Sequence, residues 1–131
     1  MKLKIPVAAC AFAATVAAGL AACGQSSPAM SSSSGTNVGT AGVNLGTPAE
    51  QISATDQLVF SPATLNAHVG DVIQWTASGT TMHTVTFDGF DSLSDVALNP
   101  GGIWEVKFTT PGTYNYHCTL HPGMNGTVVV S

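Results

Sequence analysis

The segment Tyr114-Asn115-Tyr116-His117-Cys118-Thr119-Leu120-His121-Pro122-Gly123-Met124 carries a thiol, an imidazole and a thioether at Cys-x-x-His-x-x-Met spacing. No other stretch constrains the fold as tightly. Donors around one first-row metal ion lie about 2.0–2.3 Å from it, so any two of them are at most about 4 Å apart. Three residues of extended chain span roughly 10 Å. Cys118, His121 and Met124 therefore meet only if residues 118–124 form a tight loop, and Pro122 and Gly123 are the residues that turn it. A further imidazole, His83, lies well upstream in Met82-His83-Thr84-Val85-Thr86-Phe87. It reaches the same point only from a separate strand laid beside the first.

Each of these residues has an ordinary reading on its own. A single Cys on a strand is usually a small buried hydrophobe, a single Met is usually core, and a single His usually sits at the surface. The four in this order favour ligation. Two imidazoles, one thiolate and one weak axial thioether form the trigonal set that selects copper for electron transfer. Structural zinc prefers several thiolates in CxxC-type arrangements; here there is one thiol, and a thioether serves zinc poorly. His117 alternates with Tyr116 and Cys118 and is expected to point outward, and His68, before a turn, is expected at the surface.

From about Gln51 onward, short runs rich in Val, Ile, Thr, Phe, Tyr and Trp are separated by turn residues. Strands are predicted near 57–60, 64–69, 71–77, 82–87, 103–109, 113–118 and 125–130, with turns at Ser61-Pro62, Val69-Gly70-Asp71, Asn99-Pro100-Gly101-Gly102 and Pro111-Gly112. In 103–109, Trp104, Val106 and Phe108 face one way while Ile103, Glu105, Lys107 and Thr109 face the other, which describes a half-buried strand of a two-layer antiparallel assembly. No segment has the period of an amphipathic helix, and 88–98 reads as an irregular loop or one short helical turn. Pro111-Gly112-Thr113-Tyr114 has the form of a Tyr corner. The fold class is all-β, a Greek-key sandwich of two sheets and about seven to eight strands.

With these residues in view, 51–131 resembles a cupredoxin, most closely the short-loop amicyanin type with Tyr-x-Tyr-His-Cys-Thr before its second His. Phe60-Ser61-Pro62, Gly70-Asp71, Trp75, Pro111-Gly112 and the terminal strand Gly126-Thr127-Val128-Val129-Val130 also fit. The resemblance implies a single type 1 copper ion held by His83, Cys118, His121 and Met124. It implies an electron port at the His121 edge, rimmed by the apolar docking residues Met82, Leu120 and Pro122. This chain has Leu120 where the family often has Pro, and Thr84 and Thr76 where it often has Asn. Unlike Pro, Leu120 keeps an N–H, and that N–H is expected to point at the Cys118 sulfur and favour Cu(I).

The amino terminus has a different character. Lys2 and Lys4 precede an apolar run from Ile5 to Ala18, followed by Leu20-Ala21-Ala22-Cys23. A basic start, a hydrophobic middle and small residues make a secretory signal over 1–22, and its end resembles the bacterial lipoprotein box with Cys23 as the lipidated residue. Residues 23–50 then read as the lipidated Cys plus a flexible Ser/Gly-rich linker, and 51–131 as the folded domain. The chain is expected to be extracytoplasmic, lipid-anchored to a bacterial membrane.

Removal of 1–22 leaves Lys107 as the only Lys or Arg against seven acids, Glu50, Asp56, Asp71, Asp88, Asp91, Asp95 and Glu105, a balance of one minus seven, or −6 with His neutral. Such a surface excludes nucleic-acid binding by phosphate neutralisation and suits a partner with a basic face. Asp88, Asp91 and Asp95 are candidates for steering a c-type cytochrome or membrane oxidoreductase. With Cys10 in the signal and Cys23 lipidated, Cys118 is the one free thiol and no internal disulfide forms. The expected function is single-electron transfer by a monomer. The alternative is a copper-binding protein for storage, delivery or resistance. With four protein ligands, a substrate has no open position at the metal, and no second acid/base constellation is present, so an enzyme is not expected.

Overall fold

Strands with one apolar face need a second layer to bury it, and the chain supplies two sheets of five strands each. The computed structural model describes residues 37–131. The signal at 1–22, Cys23 and residues 24–36 lie outside the described residues. Ten strands follow in order: β1 (Gly39–Gly42), β2 (Glu50–Ala54), β3 (Phe60–Ser61), β4 (Thr64–Ala67), β5 (Val72–Ala77), β6 (His83–Phe87), β7 (Asp95–Leu98), β8 (Ile103–Phe108), β9 (Gly112–His117) and β10 (Asn125–Val130), with one 3-10 turn at Asp91–Leu93. One sheet runs β1-β8-β5-β2-β3 and the other β4-β10-β9-β6-β7. The β2–β5 and β10–β4 pairs are parallel and the other pairs antiparallel. Among the described residues no helix is long and apolar enough to cross a membrane.

The inward faces interlock through large side chains. Ile52, Ile73, Trp75, Val106 and Phe108 from one sheet meet Val85, Phe87, Tyr114, Tyr116 and Val128 from the other, all buried. Trp75 sits edge-on to Phe87 and Tyr116, with ring centroids 5.6 and 5.3 Å apart. Each such large apolar side chain contributes about 1.5–3 kcal/mol by leaving water. The Tyr114 hydroxyl donates to the Thr110 carbonyl at 2.8 Å, which forms the Tyr corner expected at 111–114.

The all-β sandwich agrees with the sequence reading, with strands added. The linker reading of 23–50 does not hold for 37–50. There, β1 pairs antiparallel with β8, joining Gly39 to Phe108 and Gly42 to Glu105, and Val38 is buried. Gly39 has a packing cause, because a Cβ there would come within 2.6 Å of the Lys107 carbonyl oxygen. β2 offers only Ile52 as a large apolar residue, and β7 pairs with β6 through a register shift, so neither carries a clean alternation. Near 57–60 the chain instead turns, with Leu58 N–H donating to Thr55 O at 2.9 Å, and only Phe60 enters a strand.

Strand β8 holds a second difference. Glu105 lies on the face opposite Val106, as expected, yet it is buried at 3% exposure. The segment after β1 covers it. Its carboxylate accepts from Leu45 N–H at 2.7 Å and from Gln74 Nε2–H at 2.8 Å, which supplies the partners a buried polar group needs.

Candidate metal centre

Three candidate donors come from one loop and one from the neighbouring strand of the same sheet. β9 alternates Tyr114, Tyr116 and Cys118 inward with Thr113 and Asn115 outward, so the last inward step presents the thiol. The chain then closes on itself. His121 N–H donates to Cys118 O at 3.4 Å, Met124 N–H to His121 O at 3.1 Å, and Cys118 N–H to Met124 O at 2.9 Å. Gly123 makes the turn at φ +88°, in the left-handed region that a side chain disfavours. This is the tight loop that the donor spacing demands.

His83 opens β6, which pairs with β9 in the register Thr86 to His117 and Phe87 to Tyr116. The pairing carries His83 to the Cys118 end of β9. The donor atoms of His83, Cys118 and His121 all lie within 4.8 Å of one another. Cys118 Sγ is 3.3 Å from His121 Nδ1 and 4.0 Å from His83 Nδ1. Met124, the last residue of the loop, is buried. His83 and Cys118 are also buried, whereas His121 is half-exposed.

The donor chemistry fits a soft metal. Burial, with repulsion from His121 second and the opposing Asp56 charge third, holds the His83 pKa below its ordinary value. The shift favours the neutral imidazole, the form that keeps a lone pair for ligation. Its Nδ1 faces the Cys118 sulfur at 4.0 Å, and its Nε2 is buried without a partner.

Sequence reasoning did not find the residue that ties the two arms together. Thr84 N–H donates to Cys118 Sγ at 3.3 Å, while Thr84 Oγ1 accepts from Thr119 N–H at 2.8 Å and sits 3.1 Å from Thr119 Oγ1. The sulfur hydrogen bond expected from Leu120 is thus supplied by Thr84, and Leu120 N–H makes none to the sulfur. The signal was available: Thr84 directly follows His83, where the resembling family often has Asn.

Met82, Leu120 and Pro122 are all exposed, with Met82 at 42% and Leu120 at 46%. His117 points outward, its ring N–H donating to the Asp88 carboxylate at 2.9 Å. His68 is at the surface beside Asp71. Of the three candidate steering acids, Asp88 is thus engaged by His117, Asp95 accepts from Ala97 N–H at 3.1 Å, and Asp91 opens the 3-10 turn.

Comparison with known proteins adds to this geometry. Residues 12–130 match the family described as Cupredoxin-like domain. A chloroplastic plastocyanin of Tetradesmus obliquus is 40% identical over 85 residues, covering 56% of this chain and 59% of the relative. An amicyanin of Paracoccus denitrificans is 33% identical over 78 residues, covering 56% of this chain and 60% of the relative. The chain thus spans about three-fifths of the length of these relatives. Among solved structures, an oxidised amicyanin variant superposes with TM-score 0.60 at 26% identity, covering 70% of this chain and 92% of that one. The Cu(I) form of another amicyanin variant gives TM-score 0.60 at 28% identity, covering 72% and 93%.

Proposed function

The chain belongs to the cupredoxin-like domain family, and on that premise we propose that it carries single electrons through one type 1 copper ion held by His83, Cys118, His121 and Met124. The His-Cys-His-Met cluster is consistent with such a site. The observation that carries the reading is the meeting of His83, Cys118 and His121 donors within 4.8 Å, from two strands and a closed loop. Copper supplies one-electron exchange between Cu(I) and Cu(II).

The protein residues do the rest. The backbone bonds that close 118–124 and the Thr84 bridge hold the donors in one arrangement, so little moves when charge changes. Burial of His83, Cys118 and Met124 excludes water, and half-exposed His121 gives the electron an exit. Met82, Leu120 and Pro122 form the apolar rim of a small docking face, of the size used by short-lived redox encounters. A c-type cytochrome or membrane oxidoreductase with a basic face is the matching partner, given the acidic balance of the processed chain. The amino-terminal signal and Cys23 support a lipid-anchored, extracytoplasmic location.

Protein-film voltammetry of the copper-loaded chain tests the reading. It predicts one reversible one-electron wave, lost in Cys118→Ser. Copper that leaves on reduction, with no reversible wave, points instead to delivery or storage.

A further inference from the structure

We propose that Asp56 is a positioning residue for the metal centre: its carboxylate clamps the crossover loop that delivers His83 and places a fixed negative charge beside that arm. The inference rests on the copper reading above and extends it to a residue outside the ligand set.

The clamp is visible in the hydrogen bonds. Residues 78–82 cross from β5 in one sheet to β6 in the other, and His83 is the first residue after the crossing. Asp56 follows the end of β2. Its Oδ1 accepts from Thr80 N–H at 2.9 Å and from Thr81 N–H at 3.0 Å, and its Oδ2 from the Thr80 hydroxyl at 3.3 Å. Ser78 N–H donates to Ala54 O at 2.9 Å, so the loop is stitched to the same stretch of chain at two points. The fit also sets the sequence of the loop, because a Cβ at Gly79 would collide with the Asp56 carboxyl group.

A carboxylate that accepts several N–H bonds is held in its charged form, and the bonds from Thr81 and Thr80 keep the Asp56 pKa below its ordinary value. The carboxylate is bonded to Thr81 N–H, two residues before His83, so its charge sits beside the arm that carries the ligand. A negative charge beside the arm favours the more positive metal state, Cu(II). Asp56 is exposed, so salt screens the effect.

Three variants of the full chain separate the roles. Asp56→Asn removes the charge but keeps an acceptor, Asp56→Ala removes both, and Asp56→Glu keeps the charge on a longer stem. The potential is expected to rise in Asn and Ala, by less as salt is added, and to stay near that of the unvaried protein in Glu. In the copper-free chain, amide hydrogen exchange at Thr80, Thr81 and Thr84 is expected to quicken several-fold in Ala, with Val128 unchanged. Unaltered potentials together with unaltered Thr84 exchange would overturn the proposal and leave Asp56 a local loop residue. If the unvaried chain shows no reversible wave, the copper reading fails instead, and Thr84 exchange alone decides the clamp.

Discussion

The two arms of the metal centre are built on different principles. The loop 118–124 is held by its own backbone, with three hydrogen bonds closing seven residues. The His83 arm has no such local closure. It arrives at the end of a crossover, is seated by pairing with β9, and is tied down by Thr84 on one side and by the loop anchored on Asp56 on the other. A ligand set spaced closely along the chain brings its own geometry, whereas a distant ligand borrows geometry from the whole sandwich. Damage to the loop should therefore abolish the centre, and damage to the arm's supports should loosen it.

The largest effect is expected from Cys118→Ser, which removes the thiolate from the self-closed arm. Intense visible absorption of the Cu(II) protein should vanish and copper affinity should fall by at least roughly 100-fold, beyond the usual cost of changing residues that merely support ligands. Titration with copper, followed by absorption, checks this.

Next comes the floor beneath both arms. Gly126 lies opposite Tyr116 on paired strands, and a Cβ there would run into the Tyr116 ring. Gly126→Ala should destabilise the copper-free fold by about 1–3 kcal/mol, the usual cost of overpacking a filled core, as read by denaturant unfolding.

Thr84→Ala strikes the tie between the arms. Thr119 N–H loses its acceptor, at a cost of about 1 kcal/mol, while the backbone bond from Thr84 to the sulfur survives. The expected signature is a modest loss of stability with the type 1 spectrum retained. A spectrum lost altogether would mean that the arms depend on the hydroxyl far more than on the loop's own closure.

The contrast between the arms also explains what could be read from the sequence. The loop was legible because its information is local: donor spacing alone demands the turn at Pro122 and Gly123. The turns and large alternating residues of β5, β8, β9 and β10 were legible for the same reason. Residues 37–50 were not, since β1 is short and lacks large apolar residues, and its Gly39 answers to close approach of Lys107, a demand from a strand far away in sequence. Glu105 was placed on its proper face, but its burial depends on Leu45 and Gln74, which periodicity does not register. Asp56 and Thr84 are ordinary polar residues until the fold sets them against a crossover and a thiol.

The smallest expected effect concerns acid. Because the folded Asp56 pKa lies below its unfolded value of 3.8, the unfolded chain binds its proton first as pH falls. The stability that Asp56 contributes is therefore complete above that value and is lost as pH drops through the folded pKa. The protection of the Thr80 and Thr81 amides, taken relative to their intrinsic exchange rates at each pH, should fall in that acid range before that of the 118–124 loop. Simultaneous loosening of both would contradict the separation of the arms.

The central claim is that His83, from one arm, and Cys118, His121 and Met124, from the other, hold one ion in a constrained trigonal set. Electron paramagnetic resonance of the Cu(II)-loaded chain, recorded with its visible spectrum, tests this most directly. Narrow copper hyperfine splitting with an intense thiolate-to-copper band is the predicted result. Wide splitting with weak absorption, the mark of ordinary tetragonal copper, would contradict it.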